Sequence, residues 1–196
     1  THGDNEWNEA SGELLAGTLP EGEEWQPGRT YREELAVRNS GTIEEYVRIK
    51  LYKYWTDENG NKRTDLSPAM IDLNLTGNHW ILDERATTAN VREGDGRDGE
   101  RIVAYYDGIL APGEETELFA DTITIDGRIA DRGTETRETD ANGWTTVTTV
   151  YEYDGAMFVL EAEVDAVQTH NAADAIRSAW GVEVTLEEDG ALRLVQ

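Results

Sequence analysis

The chain has 196 residues, of which 38% are hydrophobic, and it carries a formal net charge of −24 without a single cysteine. The excess of 41 Asp and Glu over 17 Lys and Arg repels phosphate backbones and anionic lipid, so nucleic acid and membranes are not expected partners. The missing cysteines exclude disulfides, thiolate metal sites and thiol nucleophiles, and no stretch approaches the ~20 apolar residues of a membrane span.

The first half of the chain shows the two-residue period of half-buried strands. In residues 44–55, Val47, Ile49 and Leu51 fall on one side, and the alternate positions are polar or tyrosine. Residues 31–38 are also predicted to form a strand. Further strands are predicted for residues 70–75, 80–82, 101–106 and 116–125.

The second half adds two strands, residues 145–153 and 157–168. The latter has the clearest pattern, because apolar side chains alternate with carboxylates. Residues 127–141 are polar and predict either a longer hairpin or a loop. Asn-Gly and Asp-Gly pairs at 59–60, 126–127 and 142–143 predict tight hairpin turns. The inward positions of the clearest strand are Phe158, Leu160, Ala162, Val164 and Ala166.

One helix is predicted after these strands. Asn171 is a good N-cap, Asp174 stands in the capping-box position, and Gly181 supplies a C-terminal stop. We expect the helix to cover one end of the fold with its apolar stripe. The stripe consists of Ala172, Ala173, Ile176 and Trp180.

Successive strands, hairpin turns and one late helix predict an all-β fold: a two-sheet antiparallel sandwich with one short helix in its C-terminal half. A jelly-roll-like sandwich is the first choice. An immunoglobulin-like sandwich is the second, although the Cys…Trp…Cys pattern of that fold is absent. The strand order does not follow from the pattern. Residues 1–18 form an N-terminal arm, and residues 19–196 a single sandwich domain.

The ionisable residues show no pattern typical of an enzyme. His2, His79 and His170 are isolated and lack zinc-site spacing, and no serine lies in a Gly-x-Ser-x-Gly context. We therefore expect no catalytic residue, no cofactor and no tightly bound metal. We expect the carboxylates of Asp95, Asp98 and Glu100 to be exposed surface charges. The alternative is that these three residues bind Ca²⁺ or another cation weakly.

Three stretches carry a family resemblance through their order and spacing. Residues 25–48 contain Trp-Gln-Pro-Gly, Asn-Ser-Gly and Tyr-Val-Arg, residues 105–119 contain Tyr-Tyr-Asp-Gly-Ile-Leu-Ala-Pro-Gly-Glu, and residues 161–180 are a strand followed by Asn-Ala-Ala-Asp-Ala. Together they resemble TasA/camelysin-type fibre proteins of Gram-positive bacteria. The resemblance implies a jelly-roll sandwich that is secreted to the biofilm matrix or cell surface. The opening Thr1, without Met, agrees with signal cleavage or with trimming.

The resemblance also implies a function. TasA-like subunits form filaments in which each subunit lends an N-terminal strand to the next, so the expected partner is a second copy of the chain. The donor residues in the arm would be Trp7, Ala10, Leu14 and Leu15.

Two alternatives stay open. One is a monomeric secreted adhesin or carbohydrate-binding module that uses Tyr52, Tyr54 and Tyr105 as an exposed aromatic platform. The other is a secreted hydrolase, for which no motif in the chain gives support.

Overall fold

The structure is a computed structural model that describes residues 24–87, 99–130, 133–139 and 145–195. Within these ranges the backbone forms twelve strands, one α-helix and short 3₁₀ turns. In chain order the elements are β1 (Thr30–Leu35), β2 (Glu45–Thr56), β3 (Lys62–Arg63), β4 (Ile71–Leu75), β5 (Trp80–Leu82), β6 (Arg101–Tyr106), β7 (Ala120–Ile125), β8 (Gly133–Thr139), β9 (Thr145–Tyr151), β10 (Met157–Gln168), α1 (Ala172–Trp180), β11 (Val184–Leu186) and β12 (Leu192–Leu194).

Two antiparallel sheets form the sandwich. The larger sheet has the order β10-β2-β6-β5, with the short β3 paired to β2, and the smaller sheet has the order β1-β7-β4. The strands β8 and β9 pair with each other, as do β11 and β12. The predicted all-β, jelly-roll-like sandwich with one short helix in the C-terminal half is therefore confirmed. The sequence did not predict β3, β11 and β12 as strands, because each has only two or three residues.

The core lies between the two sheets and follows the predicted alternation of β2. Val47, Ile49 and Leu51 point inward and are at most 3% exposed. They pack in one cluster with Ile71 and Ile123 of the smaller sheet. Full burial of each such side chain contributes roughly 1.5–3 kcal/mol to the stability of the folded chain.

The helix α1 packs on the outer face of the larger sheet. Ala172, Ile176 and Trp180 form a second buried cluster with Tyr46 and Tyr105, which point away from the core. The expectation that this helix covers one end of the sandwich is therefore wrong. Tyr46 and Tyr105 are large enough to give the outer face an apolar surface of its own, and the helix buries it.

The start of α1 also departs from prediction. Asn171 precedes the helix as expected, but its backbone is left-handed (φ 52°) and its side chain makes no capping hydrogen bond. Side-chain capping needs an extended backbone at this position, so the predicted capping box does not form. The helix ends as predicted at Gly181, whose φ is 73° and whose N–H donates to Arg177 O at 3.1 Å.

The predicted turns have different outcomes. The Asn59-Gly60 turn joins β2 to β3, and the Asp57 N–H donates across it to Asn61 O at 2.9 Å. The hairpin predicted at Asp126-Gly127 is wrong, because a 3₁₀ turn, Gly127–Ala130, follows β7. The reason is topological: β7 is the central strand of its sheet, and both of its neighbours come earlier in the chain. The turn predicted at 142–143 lies outside the described residues.

Candidate functional site

The predicted donor residues Trp7, Ala10, Leu14 and Leu15 lie outside the described residues, which begin at residue 24. The same holds for Asp95 and Asp98 of the predicted cation site. Its third member, Glu100, is described, and its carboxylate pairs with Lys62 Nζ.

The longest edge strand among the described residues is β10, at one end of the larger sheet. It pairs with β2 at every position from Met157 opposite Thr56 to Gln168 opposite Glu45. Among the described strands nothing pairs with its other side. A free edge of 12 residues is long, and the unpaired N–H and C=O groups of such an edge can accept another strand.

The inner face of β10 is only partly covered. Phe158 is half-buried and Leu160 is 7% exposed, so the beginning of the strand reaches the core. Further along, Ala162 and Ala166 are exposed although they point to the core side. Val164, between them, is half-buried and packs against the core, so the exposed inward side chains here are the two alanines on either side of it. We call this part of β10, Ala162 to Ala166, the edge groove.

The described chain begins next to this edge. The ring of Trp25 packs edge-on against Tyr31 of β1 at 4.5 Å and against Phe158 of β10 at 4.8 Å. Among the described strands β1 and β10 each pair on one side only, so edge strands of both sheets lie beside Trp25. The described chain therefore begins beside the start of β10.

A charged network crosses the outer face of the larger sheet. Arg48 Nε donates to Asp165 Oδ2 at 2.9 Å, and Lys50 Nζ lies 2.6 Å from Glu163 Oε1 and 3.3 Å from Asp165 Oδ2. The Arg48 guanidinium carbon also lies over the ring of Trp180, 5.3 Å from its centre. Asp165 is 3% exposed, so these contacts offset the cost of burying its charge.

Tyr105 extends the network toward the turn after β5. Its hydroxyl donates to Asp83 Oδ2 at 3.1 Å, and Asp83 also accepts the N–H groups of Arg85 and Ala86 at 3.0 Å. Burial, together with the nearby Asp83 carboxylate, raises the pKa of Tyr105 to about 12. This tyrosine is 1% exposed, so it cannot belong to an exposed aromatic platform as predicted. Its size and its position under α1 bury it.

The remaining members of that platform are partly occupied. Tyr52 and Tyr54 are half-buried on the outer face of β2. The Tyr54 hydroxyl donates to Glu161 Oε1 at 3.0 Å, and Lys62 Nζ lies 5.0 Å from the centre of the Tyr54 ring. The three tyrosines therefore do not form one open stacking surface.

A cleft of about 1250 Å³ opens beside the network. Its floor is the outer face of β2 and β6, with Arg48 and Val103. One wall is the turn after β5, and the other is the C-terminal end of α1 with β11 and β12. No pattern in the sequence predicts this cleft, because its residues come from five separate stretches of the chain.

The described histidines show no metal site. His79 is exposed and its Nδ1 lies 2.9 Å from Asp107 Oδ1. In the described part of the chain, no group of three or more His, Cys, Asp and Glu side chains is arranged to hold a metal ion. No described helix is both long and apolar enough to span a membrane.

Sequence reasoning also missed a buried lysine. Lys53 occupies an inward position of β2, is 7% exposed, and donates from Nζ to Ile71 O of the smaller sheet. Burial lowers the pKa of Lys53 to about 8, although the nearby Asp72 carboxylate acts in the opposite direction. The sequence did contain a sign of this burial, because Lys53 occupies a position of β2 where the alternation predicts an inward apolar side chain.

Comparison with known proteins yields no relative. No family model matches the chain, and neither a curated protein nor a solved structure resembles it significantly.

Proposed function

We propose that this chain is a structural subunit of an extracellular filament, in a biofilm matrix or on a cell surface, and that it polymerises when the N-terminal arm of one copy adds a strand to the next. It acts as a building block and not as an enzyme. The observation that supports this proposal best is the edge of β10, which no other described strand pairs with and whose inward side chains Ala162 and Ala166 are exposed.

Strand addition suits such an edge. Main-chain hydrogen bonds to the edge provide affinity, and pockets for alternate side chains provide specificity. Ala162 and Ala166 leave room for larger side chains of a donor. In an extended arm, Ala10 and Leu14 share one face and have the same spacing of four as the two alanines. Trp7 and Leu15 share the opposite face.

The arm is long enough to reach another copy. The 23 residues that precede the described part span at most about 80 Å when extended, several times the length of a strand. They join the sandwich at Trp25, which already contacts the edge strands of both sheets. An arm that leaves its own subunit at this point is placed to meet the same edge of a neighbour.

The charge sets a condition on assembly. Copies with a net charge of −24 repel one another, and salt screens this repulsion over a Debye length of about 10 Å at 0.1 M. Filaments should therefore form more readily as salt rises. Because the net charges of two copies repel each other, the contacts that hold the donor strand on the edge of β10 must be strong and directional.

The test is negative-stain electron microscopy combined with sedimentation, over a range of salt concentrations. The full chain should form filaments, and deletion of residues 1–12 should leave a folded monomer with a near-native melting temperature and no filaments. Ala162→Lys places a charge in the edge groove and should also block assembly. Met157→Lys is the control, because Met157 is 50% exposed on the opposite face of the same strand.

Two results would contradict the proposal. If the truncated chain still polymerises, the arm is not the donor. If the full chain stays monomeric at every salt concentration, a monomeric secreted adhesin or carbohydrate-binding module becomes the better account.

A further inference from the structure

We infer that the outer edge of β9 is a second self-association surface, which pairs antiparallel with β9 of another copy of this chain. Its role as a link between neighbouring filaments rests on the proposed function. The contact itself is different, because the edge groove lies on β10 of the larger sheet, whereas β9 belongs to a separate two-stranded sheet.

The first argument is that the hairpin of β8 and β9 stands apart from the two sheets of the sandwich. Its strands pair at seven consecutive positions, from Gly133 opposite Tyr151 to Thr139 opposite Thr145. Among the described strands, neither β8 nor β9 pairs with any other. A lone two-stranded hairpin is only marginally stable in water, and three or more strands are needed for independent stability. A further strand at the edge of β9 therefore stabilises the hairpin.

The second argument is that β9 lacks the residues that protect the other long edges. Among the described strands of more than three residues, only β9, Thr-Thr-Val-Thr-Thr-Val-Tyr, contains no charged residue. Its partner β8 contains three, and so do the edge strands β1 and β10. Charged residues and proline are the usual means of keeping a free edge from pairing with another chain, and β9 has neither.

The surrounding sequence shows the same exception. Residues 141–151 form the longest run of the chain without Asp, Glu, Lys or Arg, although 30% of all residues are charged. Segments of high β-propensity and low charge without proline are typical of strands that pair between chains. In this acidic molecule, the edge of β9 is therefore a place where two copies can meet without opposing carboxylates on the paired strands.

The third argument identifies the partner as a second copy of β9. Antiparallel pairing about a two-fold axis at Thr148 places Val147 opposite Thr149 and Thr145 opposite Tyr151 of the other copy. Pairs of β-branched and aromatic residues of this kind stabilise adjacent strands. The two hairpins then form one four-stranded sheet in the order β8-β9-β9-β8. Such a two-fold contact uses the same surface on both copies and needs no other partner.

The size of the contact explains why it links filaments but does not build them. Seven residues per copy are few beside the roughly 20–30 residues a side of a stable interface, and each copy carries −24. Separate copies therefore stay apart at the low concentrations of microscopy. A filament repeats the contact at every subunit, and this multivalency raises the overall affinity without any new contact. Filaments should consequently associate side by side into bundles.

The experiment measures filament width by electron microscopy and polymer mass by sedimentation, at a salt concentration where the full chain polymerises. Thr148→Lys places two like charges opposite each other at the two-fold axis, so it should give single filaments with unchanged polymer mass. Thr136→Lys is the matched control, because Thr136 pairs with Thr148 inside the hairpin but lies on β8, one strand away from the contact. It should bundle as the parent chain does.

A charge exchange keeps the test valid if a single substitution disturbs the hairpin. Thr148→Glu filaments alone should also stay single. A one-to-one mixture of Thr148→Lys and Thr148→Glu filaments should bundle again, because opposite charges then meet across the axis. Loss of the hairpin in either variant would not be repaired by mixing.

A second measurement does not need filaments. Sedimentation equilibrium of the chain without residues 1–12 should detect a weak dimer, with a Kd on the order of 1 mM. Thr148→Lys should weaken this dimer by about fivefold or more, and Thr136→Lys by less than about twofold.

Three results would overturn the inference: bundles that Thr148→Lys leaves unchanged, equal loss of bundles in the Thr136→Lys control, or a mixture of Lys and Glu variants that stays single. Parent filaments that stay single, with a truncated chain that stays monomeric at about 1 mM, would also overturn it and leave the filament proposal intact. A full chain without filaments, whose truncated form makes a dimer sensitive to Thr148→Lys, would contradict the filament and support the pairing of β9.

Discussion

The strands β2 and β10 are neighbours of equal length that differ in how deeply they are buried. Each has 12 residues, and they pair at every position in one antiparallel register. On the core side Leu51 of β2 is 0% exposed, while Ala162, its partner on β10, is exposed. Both strands alternate in sequence, and β10 does so more clearly than β2.

The difference shows that alternation predicts the direction of a side chain but not what covers it. A strand inside a sheet has neighbours on both sides and a second sheet above it, whereas an edge strand has one neighbour and, here, only part of a cover. The inward residues of β10 are large at its start, with Phe158 and Leu160, and smaller further along, with Ala162, Val164 and Ala166, where the strand is less covered. The open part of β10 is therefore a feature of the fold.

The largest expected effect comes from shortening equivalent inward side chains on the two strands. Leu51→Ala should lower the free energy of unfolding by about 2–5 kcal/mol, because it leaves a cavity in a packed core. Val164→Ala, at a half-buried position of β10, should cost less than about 1.5 kcal/mol. Urea melts of the monomeric, arm-deleted chain measure both. Equal costs would mean that the edge groove is covered in solution.

The next effect concerns Lys53, a buried inward charge on β2. The folded-state pKa of Lys53 is about 8 and its ordinary value is 10.5, so between these values the unfolded chain binds more protons and stability rises with pH. Lys53→Met removes this dependence. Relative to the variant, the parent chain should gain up to ~3 kcal/mol of unfolding free energy as pH rises from 7 to 10.5.

Urea melts of the parent chain and the Lys53→Met variant at several pH values test this expectation. Tyrosines titrate in the same range, but they are common to both proteins and cancel in the difference. A difference that does not change with pH would show that Lys53 is solvated in the folded chain.

The smallest expected effect is on the outer face of β10. Glu161 is exposed, and its carboxylate accepts a hydrogen bond from the Tyr54 hydroxyl at 3.0 Å. Glu161→Ala should change the free energy of unfolding by no more than about 0.5 kcal/mol, as is usual at exposed sites. Leu160→Ala, one residue away and 7% exposed, should cost several times more. If the two costs were equal, the assigned register of β10 would be wrong by one residue.

Much of the fold could be predicted from local patterns. The bounds predicted for β5, β6 and β10 match the structure, and the helix before Gly181 lies where its apolar stripe placed it. Failures arose where a partner distant in the chain decides the outcome. Asp126-Gly127 has hairpin chemistry, but β7 already has a neighbour on each side.

The candidate sites were less predictable than the fold. The residues named for the arm precede the described part of the chain, so their role stays a prediction. The edge groove lies on a predicted strand that has only one partner among the described strands, and the cleft brings Arg48, Arg85 and Arg193 together from distant parts of the sequence. The spacing of these residues along the sequence does not predict that they lie together in the fold.

The period-two strands, the helix, the absence of thiol chemistry and the acidic charge follow from residue type or from neighbours a few positions away. Which strand is an edge, why Lys53 is buried, why Tyr105 is inaccessible and where the scarce cations gather become visible only in the folded chain. Those properties depend on which distant segments pack together. Solvent exposure and electrostatic potential are set by that packing and not by the order of residues along the chain.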